Sequence, residues 1–316
     1  MTCSKTIIGN DPALKVILQS IKKVAPTGVT VLITGETGTG KELVANAILK
    51  NSPRKNKVFI PLNCAALPES LIESELFGYC KGAFTGAKTH KQGILATVDG
   101  GTLFLDEINS LSLPVQIKLL RFLEAGEYMP IGSIKAHKAD IRIIAASNTD
   151  LEQQVELGAF RKDLYFRLNI VPLMLPPLRE RPQDIELLIN HFMDYFAKKY
   201  TIKAPLISAQ ALTKLQSYFW PGNIRELRNL CENLTIFSLN RPIDVADLPR
   251  DYLQTRKTEF ERLFELPEQG LNWPEQELNL IRQAIIKSNG NCQQASLLLG
   301  MSRDTLYYRA KKGGLI

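Results

Sequence analysis

Apolar positions along the chain repeat with two different periods, and the switching between them outlines the architecture. Over residues 11–25 they fall at Leu14, Ile17, Leu18, Ile21 and Val24, the spacing of an amphipathic helix. Val29-Thr30-Val31-Leu32-Ile33 follows as a short continuous run, which predicts a strand buried on both faces, and helical spacing then continues through Leu49. Similar short runs recur at 58–62, 102–105 and 141–146, each separated by helical pattern. Strands alternating with helices predict an α/β fold built on a mainly parallel sheet. After Pro172 the pattern changes. Pro176, Pro177 and Pro182 punctuate a connector, and the periodic segments beyond it, 183–200, 208–218 and 222–239, are all helical.

The chain is therefore expected to divide into an α/β unit over 1–172, a helical lid over 173–249, a linker over 250–272 and a helical unit over 273–316. At 316 residues it is long enough for two or three domains, and 45% hydrophobic with 22% charged residues is ordinary globular composition. No stretch reaches the length of a membrane span, and the first residues lack the apolar core of a signal peptide, so a cytoplasmic protein is expected. The five cysteines are scattered without metal-ligand or redox spacing, which fits free thiols in a reducing compartment. A net charge of +7 suits an acidic partner such as nucleic acid, and Arg303, Arg309, Lys311 and Lys312 crowd the C-terminus.

Gly35-Glu36-Thr37-Gly38-Thr39-Gly40-Lys41 lies between a buried strand and a helix, the context a phosphate-binding loop requires. Its glycines let backbone N–H groups approach phosphates, and Lys41 neutralises the outer ones. The next position commonly carries a Ser or Thr hydroxyl for Mg²⁺; here it is Glu42, so the metal must lean on another carboxylate. That carboxylate is Asp106, where the apolar strand Gly101-Thr102-Leu103-Phe104-Leu105 ends in Asp106-Glu107. Asp106 would hold Mg²⁺ beside ATP, and Glu107 would polarise the attacking water.

Gly82-Ala83-Phe84-Thr85-Gly86-Ala87 can do no acid, base or metal chemistry. Its glycines make it mobile, and one Phe gives it something to press against a partner. Together with the phosphate loop it resembles the AAA+ ATPases that activate bacterial RNA polymerase carrying sigma-54, the bacterial enhancer-binding proteins. Glu42 also matches that family. The resemblance spans nearly the whole chain and implies that residues 82–87 contact sigma-54, with Phe84 and Thr85 foremost.

Five further roles follow from the resemblance alone. Asn63 is similar to the switch asparagine that holds the catalytic glutamate back, Asn148 to sensor I near the γ-phosphate, and Arg225 to the lid's sensor II arginine. Arg161 and Arg167 resemble the fingers that reach a neighbour's γ-phosphate, which implies a closed, hexameric ring. A second loop, over about 126–138, is expected beside the first. It carries Met129-Pro130-Ile131-Gly132 where the family often shows Arg-Val-Gly, and Pro130 removes a backbone donor, which bears on how tightly the two loops couple.

At the C-terminus, Asn289-Gly290-Asn291 opens a helix, Gly300 makes a turn, Ser302 caps the next helix and Leu306 packs back. This helix-turn-helix resembles the Fis-type domain ending many family members. Ser302, Arg303, Thr305, Tyr308, Arg309 and Lys311 are its expected contacts with double-stranded enhancer DNA, bound at least as a dimer. The phosphate loop begins too early for an upstream sensory domain, so control by a separate inhibitor protein, by abundance or by pairing with a related activator is expected. A DNA-binding regulator using nucleotide only as a ligand, and a general AAA+ remodeller, are the alternative readings.

Overall fold

The structure, a computed structural model, describes residues 7–84, 86–237, 241–253, 270, 272–288 and 290–315. The chain forms two compact units, Met1–Thr255 and Arg256–Ile316. In the first, elements run α1 (Pro12–Val24), β1 (Val31–Thr34), α2 (Lys41–Lys50), β2 (Phe59–Asn63), α3 (Glu69–Phe77), a hairpin of β3 (Gly78–Tyr79) and β4 (Lys91–Gln92), α4 (Ile94–Thr97) and β5 (Thr102–Asp106). Then come α5 (Leu113–Ala125), a second hairpin of β6 (Glu127–Tyr128) and β7 (His137–Lys138), β8 (Arg142–Ser147), α6 (Leu151–Glu156), α7 (Lys162–Leu168) and β9 (Val171–Met174).

Five strands form one sheet in the order β2-β5-β8-β1-β9, and every pairing in it is parallel. Alternate residues of the same strands enter different cores. Leu32, Leu103, Leu105, Ile143 and Ala145 pack with α3, α5 and α7, while Val31, Ile33, Phe104, Ile144 and Ala146 pack with α1 and α2. Both faces are thus covered, which is why these strands read as continuous apolar runs. The two prolines inside strands, Pro61 and Pro172, lie on the two edge strands, where a missing N–H breaks no ladder. The sequence pattern changes at Pro172, but the sheet continues through it to Met174. Arg142, buried on β8, donates to the carbonyls of Val24 (2.9 Å) and Ala25 (2.6 Å) and so satisfies the open end of α1.

The lid comprises α8 (Pro182–Tyr200), α9 (Ala209–Ser217), α10 (Asn223–Phe237) and α11 (Arg250–Leu253). Its core surrounds Trp220, whose indole N–H donates to the Leu215 carbonyl at 2.8 Å, and Tyr252 and Leu253 of α11 pack on that core. Arg250–Leu253, expected at the head of the linker, is therefore helical and seated on the lid; most of the remaining expected linker lies outside the described residues.

In the second unit, helices Trp273–Lys287, Cys292–Leu298 and Arg303–Lys312 enclose a small core of Ala284, Ala295 and Leu306. Asn291 caps the second helix through the amides of Gln293 and Gln294, Gly300 turns at φ 62°, and Ser302 caps the third through the Thr305 amide. Asn289 lies outside the described residues.

Candidate functional site

The parallel sheet brings together what the sequence scatters. The phosphate loop follows β1, Asn63 ends β2, Asp106-Glu107 ends β5 and Asn148 follows β8, all at the carboxyl edge where open α/β sheets bind ligands. A cleft of 340 Å³ opens there, lined by Thr37, Gly38, Thr39, Gly40, Lys41, Glu42, Asp106, Glu107 and Arg225 among others. Gly35, Gly38 and Gly40 have φ of 150°, 82° and 103°, and Gly40 is the N-cap of α2. Lys41 is buried, and its ammonium donates to the Gly35 carbonyl at 2.7 Å and the Glu36 carbonyl at 3.1 Å. Burial lowers its pKa, while the nearby Asp106 and Glu107 charges pull the other way. This is a cation held ready at a cleft that favours an anion.

Glu107 adopts a left-handed backbone, φ 55° and ψ 48°, a conformation that costs a non-glycine residue about 1 kcal/mol and marks functional turns. The Asp106 carboxylate accepts the Glu107 amide at 3.0 Å. Asn63 is in register with Asp106, but its Oδ1 accepts from the amides of Ala65 (2.8 Å) and Ala66 (3.1 Å), capping the turn after β2. Behind it Cys64 is buried; burial and the Asp106 and Glu107 charges push its thiol up to about 12. Asn148 faces the phosphate loop, with its amide nitrogen 3.4 Å from the Thr37 hydroxyl and its Oδ1 buried without a partner.

Arg161 and Arg167 do not line this cleft. Arg161 forms a bidentate pair with Asp163 at 2.6 and 3.0 Å, and Arg167 donates to the Leu123 carbonyl at 2.8 and 3.1 Å. The Arg161 amide donates to Gln116 Oε1 at 2.9 Å, and Gln116, fully buried on α5, donates to the carbonyls of Leu111 and Ala159. Sequence reasoning missed Gln116. It also missed the lid residues Arg179, Arg181 and Asn223, which bond to the phosphate loop across more than 140 residues. One local signal existed for Asn223: it sits two residues after a proline and tolerates its left-handed φ of 50°.

The described residues of the 82–87 segment, Gly82, Ala83, Phe84, Gly86 and Ala87, sit at the tip of the β3-β4 hairpin. Gly82 and Gly86 have φ of 84° and 104°, and the Gly82 amide closes the tip on the Ala87 carbonyl at 2.9 Å. Phe84 is 46% exposed and meets Tyr79 edge-on, with ring centroids 5.0 Å apart. Thr85 lies outside the described residues. The second loop is bonded to the first. Cys80 donates to the Ile131 carbonyl at 3.0 Å, and Ile131 donates to the Gly78 carbonyl at 2.9 Å. Pro130 lacks a donor, yet its successor supplies both bonds, so the departure at 129–132 leaves the loops joined.

In the C-terminal unit Leu306 and Ala310 are buried, and Arg303, Tyr308 and Lys311 are exposed on the third helix. Arg309 pairs instead with Glu277 of the first helix, and the Ser302 hydroxyl is 2.7 Å from that of Thr305. Tyr307, 51% exposed beside Tyr308, was not anticipated.

Residues 7–174 match the sigma-54 interaction domain. The chain belongs to the sigma-54-dependent transcriptional activators. Residues 179–263 match the AAA+ ATPase lid domain and 274–313 the bacterial regulatory proteins of the Fis family, so this activator carries a DNA-binding helix-turn-helix. It is 41% identical to the DNA-binding transcriptional regulator NtrC of Escherichia coli K12, over 98% of this chain and 70% of that one. To the nitrogen fixation protein AnfA of Azotobacter vinelandii it is 45% identical, over 98% of this chain and 57% of AnfA. Among solved structures it resembles Brucella abortus NtrX in complex with ATP, with a TM-score of 0.73 and 32% identity over 98% of this chain and 69% of that one. The Thermotoga maritima branch-migration motor RuvB, at 16% identity and TM-score 0.50, shares the fold. Among the described residues, no helix is long and apolar enough to cross a membrane.

Proposed function

We propose that this activator hydrolyses ATP in the cleft and uses the cycle to remodel sigma-54 polymerase from its closed to its open promoter complex. The observation that carries the reading is how both loops hang from the catalytic edge. The first hairpin lies between Asn63 and Asp106 in the chain, and α3, which leads into it, shares a core with β5 through Ile72, Leu76 and Phe77. The second loop ends α5, which starts just after Glu107. A shift at either carboxyl end therefore has a packed route to the 82–87 tip.

The residues present fit a nucleotide with its metal: a glycine cradle, a buried lysine and an acidic pair converge on one cleft, and Asn148 stands beside it at Thr37. Asp106 would hold Mg²⁺, which would neutralise phosphate charge. Lys41 and the loop amides hold the phosphates, Glu107 orients and polarises the attacking water, and Asn148 and Arg225 read the γ-phosphate end. Arg161 and Arg167, away from their own cleft, serve a neighbour's in a ring, expected to be hexameric, of this chain alone or with a related activator. Arg303, Tyr308 and Lys311 face enhancer DNA, with Thr305 beside them. Ser302 and Arg309 act first through the fold of that unit.

Substituting Thr85→Ala separates the two activities. It should leave ATP hydrolysis and DNA binding intact and block promoter opening. Retained opening would remove the hairpin tip from the mechanism.

A further inference from the structure

The lid reaches the phosphate loop through a continuous set of donors. Asn223 Nδ2 donates to the Thr37 carbonyl at 3.1 Å, the Ile224 amide to the Gly38 carbonyl at 3.0 Å, and Arg181 to the Thr39 carbonyl at 3.3 Å. The same Asn223 nitrogen donates to the Glu36 carboxylate at 3.1 Å, and Arg179 grips that carboxylate bidentately at 2.6 and 2.9 Å. Asn223 Oδ1 accepts the Leu178 amide at 2.7 Å, which ties the start of α10 to the turn before α8. A side chain at Gly38 would run into the Gly222 carbonyl, so lid and loop meet there backbone to backbone.

In a trans peptide the carbonyl and the following N–H point in opposite directions. Anchoring the carbonyls of Thr37 and Thr39 on the lid therefore turns the N–H groups of Gly38 and Gly40 toward the cleft, while the Thr39 amide donates within the loop to the Glu36 carbonyl at 3.4 Å. The Gly38 and Gly40 amides are what a phosphate loop offers an anion. We propose that Asn223, assisted by Arg181 and by the Glu36–Arg179 pair, is a positioning residue by which the lid shapes the phosphate-binding nest. The proposal rests on reading residues 35–41 as the nucleotide phosphate site. Its consequence is reciprocal: a lid displaced from this position loosens the nest, and an occupied nest holds the lid.

Asn223→Asp and Asn223→Gly both tolerate the left-handed backbone; the first loses the two donors, the second the whole side chain. In the full chain each should bind mant-labelled ATP about tenfold more weakly, the effect of losing the one charge-assisted bond to Glu36 and the neutral bond to Thr37. The steady-state KM should rise similarly, with kcat kept within about threefold, because the nest holds substrate and transition state alike. Glu36 is 41% exposed, so Glu36→Ala tests the clamp even where Asn223 variants fail to fold. It should weaken binding severalfold, and Glu36→Gln, which keeps one acceptor but sets its amide nitrogen against the Arg179 guanidinium, should weaken it to a smaller degree. Wild-type protein that binds no labelled ATP overturns the phosphate-site reading and the clamp with it. Wild-type binding, with Asn223→Asp and Glu36→Ala both within twofold of it, overturns the clamp alone.

Discussion

The joint between the two loops can be broken at one atom. Gly132 has φ 76°, and a Cβ added there would lie 2.8 Å from Ala83 Cβ and 3.1 Å from Ala83 Cα. Gly132→Ala therefore costs about 1–2 kcal/mol of left-handed strain, and it forces the hairpin tip away at about 1–3 kcal/mol more. Against this stand the two backbone bonds between the loops, worth about 1 kcal/mol net each. Together they favour the docked arrangement by roughly thirtyfold. The substitution cancels that preference and leaves the loops apart. The amides of Cys80 and Ile131, bonded across the joint, should lose exchange protection by about that factor in native-state hydrogen exchange. Promoter opening should fall while ATP hydrolysis is unchanged, since Gly132 does not line the nucleotide cleft. Unaltered exchange at both amides, or an equal fall in hydrolysis, would refute the argument.

Glu107→Gln keeps the turn and the cleft but removes the group that polarises water; labelled ATP should still bind while turnover falls by at least 10². Gln116→Leu removes the acceptor for the Arg161 amide and should lower kcat with little change in nucleotide binding. Mixing it with Lys41→Ala subunits, whose fingers are intact, should restore part of the hydrolysis; no restoration, where Arg161→Ala is restored, would dissociate Gln116 from the finger. The Arg179 guanidinium bonded to Glu36 holds that carboxyl below its usual range; burial opposes it, and the Asn223 amide assists. A carboxylate lowered in the folded state contributes stability above the ordinary value, and that contribution is lost as pH falls through the folded one. The melting-temperature gap between wild type and Glu36→Ala should thus hold from pH 8 to pH 5 and close only below about pH 4. Burial of Cys64, with its thiol raised to about 12, predicts that iodoacetamide at pH 8 labels the half-buried Cys80 and Cys292 and spares Cys64, as read by peptide mass spectrometry.

What the sequence displayed well was whatever depends on neighbours in the chain. The glycine loop, the strand ending in Asp106-Glu107 and the 82–87 segment each occupy a few consecutive positions, and their backbone demands show in residue type. The buried strands were legible because both faces are covered, and the edge strand through Pro172 was not, because proline there mimics a boundary. Gln116 and Arg181 left no pattern, and Asn223 showed only its tolerance of a left-handed turn: each bonds a backbone atom far away in sequence, and a carbonyl is the same at every residue. Asn63 resembles a switch by residue type, and the structure adds that its oxygen caps the adjacent turn, a local role the type also allows. The joining of the two loops through Ile131 was likewise invisible, because only backbone groups make it.

The central claim is that hydrolysis in this cleft opens a promoter. Purified protein should be mixed with sigma-54 polymerase on a promoter carrying its enhancer site, with ATP in one arm and a non-hydrolysable analogue in the other, and melted DNA followed by permanganate reactivity. Melting is expected with ATP and none with the analogue. Melting in both arms, or ATP consumption beside a promoter that stays closed, would contradict that claim.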